Sequence, residues 1–490
     1  MGLTKHLARG FLALAFGSIA PALAQTGTSP GAPQAGALAA EKPAPQPPAY
    51  KSGRADEDYS YLKDQSLRTD FWDPVKYIPF NEAGDVYLSL GAELRERYEY
   101  VSNPNFGLPF GRTDFLLHRL LLHGDLHVTE YARGFVQLGS HFQADRDTPR
   151  IATDDNSIDL HQGFLDLSLP LAALGSVTAR GGRMELAFGS GRLISTRDSD
   201  NIRRAFDGGR AFWRLGPVRV DAIYGRPVLN RSAQFDDETS NREALWGVYG
   251  TATKIFSDSL NADVYWIGYD IDGARFPLEM PIGTGNERRH TYGGRLFGKG
   301  MGFDWDLEGA WQTGRFAATE IDIDAFLVGA DFGYTFAECF LRPRLSVKGN
   351  IASGDDAAGD GEIGTFNPLF SKRPYFNEAG LIKPANIIDV SPTVTLNPME
   401  KMLVTGSWDF LWRHHTNDGL YTRSSPLAAL AGSTGGNSFI GHQGVLDFSW
   451  QATRHVGVKS SYVHFFAADT IEQAKGQDVD FFAVWGTYMF

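Results

Sequence analysis

The chain has 490 residues with a formal net charge of −12, an acidic balance that argues against a nucleic-acid partner. Cys339 is the single cysteine, which excludes an intrachain disulfide and a cysteine metal cluster. Beyond the N-terminus no window of about 18 uninterrupted apolar residues occurs, so helical membrane spans are excluded, while 55 glycines and 13% aromatic residues favour β structure with many turns.

In chain order, Lys5 and Arg9 precede the apolar run FLALAFGSIAPALA, and Ala22-Leu23-Ala24 supplies a small-x-small cleavage site. This pattern predicts a secretory signal peptide over residues 1–24. Residues 25–55 are rich in Pro, Ala, Gly and Gln, bury too little to fold, and are expected to be a disordered leader. Residues 56–83 form an expected periplasmic lead-in, ordered but mostly irregular, with Trp72, Tyr77 and Phe80 available to dock on a larger body.

From Gly84 to Phe490 the period is two. In YLSLGAELRERYEY, Leu88, Leu90, Ala92, Leu94, Tyr98 and Tyr100 share one face, and Ser89, Glu93, Arg95, Arg97 and Glu99 share the other. Glu96 interrupts the apolar set, which places that end near a membrane rim. In RPRLSVKGN, Arg342, Arg344 and Lys348 alternate with Pro343, Leu345 and Val347. Such strands run to roughly 10–16 residues, longer than is usual in soluble proteins.

Turn signals divide the region into about eighteen strands, and the connections alternate between two kinds. Thr129-Glu130, Gly216-Pro217, Ser257-Asp258, Gly300-Met301 and Pro398-Met399 mark short ones, whereas 146–156, 189–208, 227–242, 271–287, 353–387 and 414–437 are long. Short turns on one side and long loops on the other predict an all-β fold: one transmembrane antiparallel barrel over 84–490, with both termini periplasmic. The final strand FFAVWGTYMF puts Phe482, Val484, Tyr488 and Phe490 on one face, like the assembly signal of outer-membrane proteins.

The stretch GGRMELAFGSGRLISTRDSDNIRRAFDGGR, residues 181–210, carries the sharpest functional expectation. Alternation assigns Arg183 and Glu185 to the lumen and Leu186 and Phe188 to lipid. The long loop that follows is expected to fold into the pore, with Arg183, Arg192, Arg197 and Arg210 presenting guanidinium forks to an anion. Glu185 and Asp198 would hold these arginines in place, and Arg295, Arg342 and Arg344 complete the expected pore lining. The competing reading makes the same residues salt-bridge braces of a wide barrel. Asp355, Asp356, Asp360 and Glu362 in SGDDAAGDGE offer hard-oxygen ligands for Ca²⁺ without the spacing of an EF-hand loop, and a solvated outer loop is the simpler reading. His414-His415 falls in another outer loop. The chain has no phosphate cradle, nucleophile elbow or HExxH, so no enzyme chemistry is expected.

The segments DEDYSYLKD, DPVKYIPF, LGAELRERYEY, GGRMELAFGSGRL, RAFDGGR, SGDDAAGDGEIGTFNPLF and LRPRLSV together resemble the alginate-export family of Gram-negative outer-membrane porins. The resemblance is ordered along the chain from about Asp56 to Phe490. It implies an eighteen-stranded barrel whose arginine-bearing constriction passes an anionic polysaccharide, an alginate-like polyuronate. The alternative is an uptake porin, general or anion-selective, for small organic anions or oligosaccharides. Expected partners are the anionic solute, outer-membrane lipid and lipopolysaccharide, the barrel assembly machinery and a periplasmic export scaffold.

Overall fold

Outward leucine and inward arginine alternate along Val86–Val101, and the same rule builds the whole wall. The computed structural model describes residues 48–108, 111–146, 151–274, 285–316, 321–357, 359–424 and 427–490. The expected signal peptide, and the leader up to residue 47, lie outside the described residues.

The wall begins with β1 (Val86–Val101), β2 (Thr113–Val128), β3 (Ala132–Ala144), β4 (Asn156–Pro170), β5 (Ser176–Met184) and β6 (Phe206–Leu215). It continues through β7 (Val218–Leu229), β8 (Glu243–Ala252), β9 (Leu260–Ala274), β10 (Gly285–Gly300), β11 (Phe303–Phe316) and β12 (Ile321–Thr335). The last third is β13 (Arg344–Ala352), β14 (Ile387–Leu396), β15 (Met402–Trp412), β16 (Phe439–Gln451), β17 (Val456–Ala467) and β18 (Val479–Met489). Each strand pairs antiparallel with the next, and β18 returns to β1 over Glu93↔Met489 to Val101↔Phe481, closing eighteen strands into a barrel. Closure leaves no long free sheet edge, which lipid would not tolerate.

The short connections expected from the sequence all fall at one end of the barrel and the long ones all at the other. Phe490 and the lead-in lie at the turn end. On the outer wall Leu165, Leu167 and Leu169 of β4 are more than half exposed, while Phe164 and Asp166 on the alternate positions are buried. Lipid takes the outer set.

One strand is read differently by the structure. β5 ends at Met184, and its inward face is Thr178 and Arg180, the latter fixed by Nε and NH2 bonds of 2.7 and 2.8 Å to Asp166. Arg183 therefore belongs to the outward set with its ladder partners Gly163 and Asp207, and it forks onto Asp207 at 2.8 and 3.0 Å. The lumenal assignment of Arg183 is thus corrected. Arg183 would share a face with Glu185 only if the strand ran on, but β5 ends at Met184 and the chain then turns inward, so parity does not carry across.

The lead-in is ordered, and its packed part already includes Arg54 and Ala55. It runs as short 3-10 turns, one helical turn over Asp73–Lys76, and a two-residue strand Ile78–Pro79 paired with β1. Asp73, the first residue of that turn, ties down the chain before it by accepting the Thr69 and Asp70 amides at 2.8 Å each. Trp72 stacks on Phe490 with ring centres 3.8 Å apart, and Tyr77 joins a buried cluster with Tyr59, Leu62 and Tyr87. Phe80, expected to dock as well, remains 62% exposed.

Candidate functional site

Two loops from the opposite end fill the middle of the lumen. Residues 185–205 and 363–386 fold inward and pair with each other: Phe370 N–H donates to Leu193 O at 2.9 Å, Ser195 N–H to Phe370 O at 3.0 Å, and Lys372 N–H to Gly191 O at 2.8 Å. Leu186, Leu193, Ile194, Leu369, Phe370 and Ile382 pack around this contact in one buried cluster. Leu186, expected against lipid, is therefore plug core, and Phe188 packs against the same cluster. Gly189 and Gly191 make the inward turn with φ of +55° and +75°, and a Cβ on Gly189 would lie 2.3 Å from the Tyr249 hydroxyl.

Charged groups fasten this plug to the wall. Arg95 of β1 donates to Asp198 O at 2.7 Å and Asp200 O at 2.9 Å, and Arg119 of β2 donates to the Asp198 carboxylate at 3.1 Å. Burial alone would raise Asp198, but Arg119, Arg203 and Arg95 hold its carboxyl well below the usual range. Glu185 accepts from Arg203 at 2.9 Å and lies 2.8 Å from His161 Nε2. On the far side, Arg192 NH1 donates to Asp306 and Glu308 of β11 at 2.8 Å each, and to Ser190 Oγ at 3.0 Å. Arg197, with φ of +54°, donates from Nε to Ser371 O at 3.2 Å. Arg97 grips Glu378 in the second loop at 3.1 Å.

The expected lining residues thus divide. Arg192, Arg197, Glu185 and Asp198 lie in the plug as predicted, but all are committed to internal partners, so they brace the plug. Arg295 and Arg344 face the lumen as pairs, with Asp306 at 2.5 Å and Asp331 at 2.8 Å. Arg342 is corrected: it sits exposed in the turn 336–343 with φ of +42°, before β13 begins. Arg203, Lys372 and Arg373 belong to the plug and were not singled out by the sequence, although the Arg203-Arg204 and Lys372-Arg373 doublets were a visible signal. Burial lowers Lys372 to about 8, with Arg192 and Lys348 adding repulsion. Lys383 is lowered by burial to about 7, with Arg197 and Arg373 adding to it.

Two polar spaces flank the plug. A gap of about 150 Å³ lies between it and β11–β15, lined by Arg192, Asp306, Lys348, Lys372, Asp389 and Asp409 among others. A vestibule of about 580 Å³ opens at the turn end beside β4–β8. There Arg210 and Arg219 share one carboxylate, Asp221, each through Nε at 2.7 Å. Arg214 lies over the Phe212 ring at 4.6 Å and makes no ion pair among the described residues. Phe188 and Tyr249, stacked with centres 4.9 Å apart, line the same space. Five arginines and Lys51 line this space against the carboxylates Asp56, Glu185 and Asp221, and this cationic excess beside stacked rings can attract a carboxylate and cover a sugar face.

Asp355, Asp356, Asp360 and Glu362 do not converge on a shared point: Asp355 takes the Ala357 amide, Asp360 takes the Glu362 amide, and Glu362 is in a short strand beside Asp322. Among the described residues the carboxylates that do approach are Asp159, Asp236 and Asp237, within 4.8 Å of one another. His414 takes the Gly354 amide at 3.4 Å beneath the loop, and burial next to His415 lowers it to about 4.

Comparison with solved structures finds the same barrel. Acinetobacter baumannii OccAB1 matches with a TM-score of 0.54 at 11% identity, over 85% of this chain and 99% of that one. Pseudomonas aeruginosa OccK9 (OpdG) matches at 0.56 and 11%, over 82% and 98%. Pseudomonas aeruginosa OpdQ matches at 0.52 and 14%, over 82% and 97%. Identities this low establish fold alone. Among curated proteins none matches in sequence. The alginate-export family profile matches residues 86–484, nearly the whole wall from β1 into β18. The match covers most of the chain and the barrel is of the outer-membrane type, so the chain belongs to the alginate-export family, as an outer-membrane channel.

Proposed function

We propose that the channel carries an anionic polysaccharide, an alginate-like polyuronate, outward by passive export, with the turn end in the periplasm. The observation that supports this reading most is the vestibule, where Arg210, Arg214 and Arg219 outnumber Asp221. Guanidinium stays charged at any working pH and matches a carboxylate as a planar fork. Selectivity follows the field at the narrow part of a pore, so the acidic sum over the chain does not oppose it. Of the arginines expected from residues 181–210, Arg192 and Arg197 brace the plug and Arg183 faces outward, while Arg210 joins Arg214 and Arg219 on β6 and β7 as the attracting set. A polyuronate added at the turn end of the channel in a lipid bilayer tests this. Block of chloride current in the parent, weakened in Arg214→Gln, is expected, and a cation-selective parent channel without block refutes it.

The second reading, an uptake porin for small organic anions, is favoured by the gap of about 150 Å³ beside β11–β15, which suits a small solute better than a polymer. Liposome swelling with small dicarboxylates against oligouronates separates the two readings.

A further inference from the structure

The vestibule has a wall that the barrel does not provide. Lys51, Ser52, Gly53, Ala55 and Asp56 of the lead-in line it, facing Arg180, Arg203, Arg210, Arg214 and Arg219. This short strap is fastened on both sides. Arg54 is buried and donates to Ala92 O of β1 at 2.9 Å and Phe490 O at 2.7 Å, while its Nε pairs with Glu57 at 2.9 Å. Tyr59 donates to the other Glu57 oxygen at 2.7 Å. Ala55 O accepts Arg133 NH2 at 2.6 Å, and Ser52 Oγ accepts Arg203 at 3.3 Å. The strap is therefore a fixed part of the channel.

Between its buried anchors Arg54 and Glu57, the strap presents Asp56 exposed to the cavity. The Asp56 carboxylate makes no hydrogen bond or ion pair among the described residues, yet it lines the same space as Arg214 and follows Ala55, whose carbonyl accepts Arg133. Lys51 donates from Nζ to the Asp56 carbonyl, so a cation and an anion of the strap meet the same space. The other carboxylates of the vestibule, Glu185 and Asp221, are already paired with arginine.

Resting on the anion-channel reading above, we propose that the strap Lys51–Asp56 is a selectivity element of the channel, with Asp56 as the residue that sets how tightly the vestibule holds an anion. A site with unopposed arginines would trap a polyanion, and conduction needs a ligand that also leaves. Asp56 offsets Arg214 without pairing with it, so attraction at the mouth survives while retention falls. Its solvent-facing position makes it a specificity determinant with no packing role.

Planar-bilayer recording of the full-length channel tests this, with a short polyuronate at the turn end and the reversal potential under a KCl gradient. Asp56→Asn is expected to strengthen block about threefold to tenfold, the effect of one charge at partly screened cavity distance, and to move the reversal potential toward anion preference. Asp56→Glu should restore the parent values, and Lys51→Gln should weaken block. A heat-shift gel checks that each variant assembles. If Asp56→Asn matches the parent while Arg214→Gln loses block, the strap is only structural and the proposal is overturned. If polyuronate blocks none of the channels, including the parent, the anion reading itself falls, and this proposal with it.

Discussion

Arg192 is the bolt between the plug and the far wall, and its removal should open the channel. All its hydrogen bonds to Ser190, Asp306 and Glu308 leave from a single nitrogen, NH1. A charged hydrogen bond contributes about 1.5–3 kcal/mol net, and bonds that share one donor do not add. The orphaned acids are partly provided for: Glu308 keeps Ser190 Oγ at 2.7 Å and Tyr265 OH at 2.9 Å, and Asp306 keeps Arg295. Arg192→Met should therefore weaken plug docking by about 2–3 kcal/mol, a factor of about 30–150 in the docked-to-undocked ratio. Single-channel recording should show a raised open fraction or new high-conductance openings. Because one nitrogen carries the bonds to Ser190, Asp306 and Glu308, Arg192→Lys should stay near the parent. A methionine variant that assembles and conducts like the parent would refute the idea that this contact holds the plug.

Arg183→Gln should leave ion selectivity unchanged, because Arg183 faces outward, whereas Arg214→Gln should shift the reversal potential toward cations. Leu90→Arg should impair insertion by up to about 2–4 kcal/mol if it lies near the midplane, and Thr251→Arg, which lines the vestibule, should assemble and gain anion preference. Lys372, lowered to about 8, loses its charge as pH rises through that value, so anion preference should fall between pH 7 and 9, and Lys372→Arg should abolish the change. Docked Lys372 and Lys383 bind fewer protons than when released, so docking tightens as pH rises above about 7, and the open fraction should fall over the same range.

The wall was legible because its rule is local. Along Val86–Val101 each residue's side follows from its neighbours, and Ser89, Glu93, Arg95, Arg97 and Glu99 are all buried inward as read. Parity is lost wherever a strand ends unseen: at Met184, which misplaced Arg183, and at the positive-φ turn residues Leu341 and Arg342. The plug was anticipated from a long arginine-rich loop poor in large apolar residues, but its partner was not. Phe370 lies far along the chain from Leu193, and no pattern in either segment announces the pairing. The vestibule was hidden for the same reason, since Asp56 and Arg214 meet only once the lead-in enters the barrel.

The two-residue strand of the lead-in bears on how these barrels coexist in a crowded membrane. β18 covers β1 from Glu93 to Val101, and nearer the turn end Ile78 and Pro79 lie opposite Leu88 and Tyr87. A bare strip of β1 there would be a template for the strand of another molecule, the route by which barrels exchange strands or fuse. Proline carries no N–H, so the strip that covers it cannot recruit a further strand in turn. A further strand added on that side would meet Pro79 first, where no N–H is offered to it.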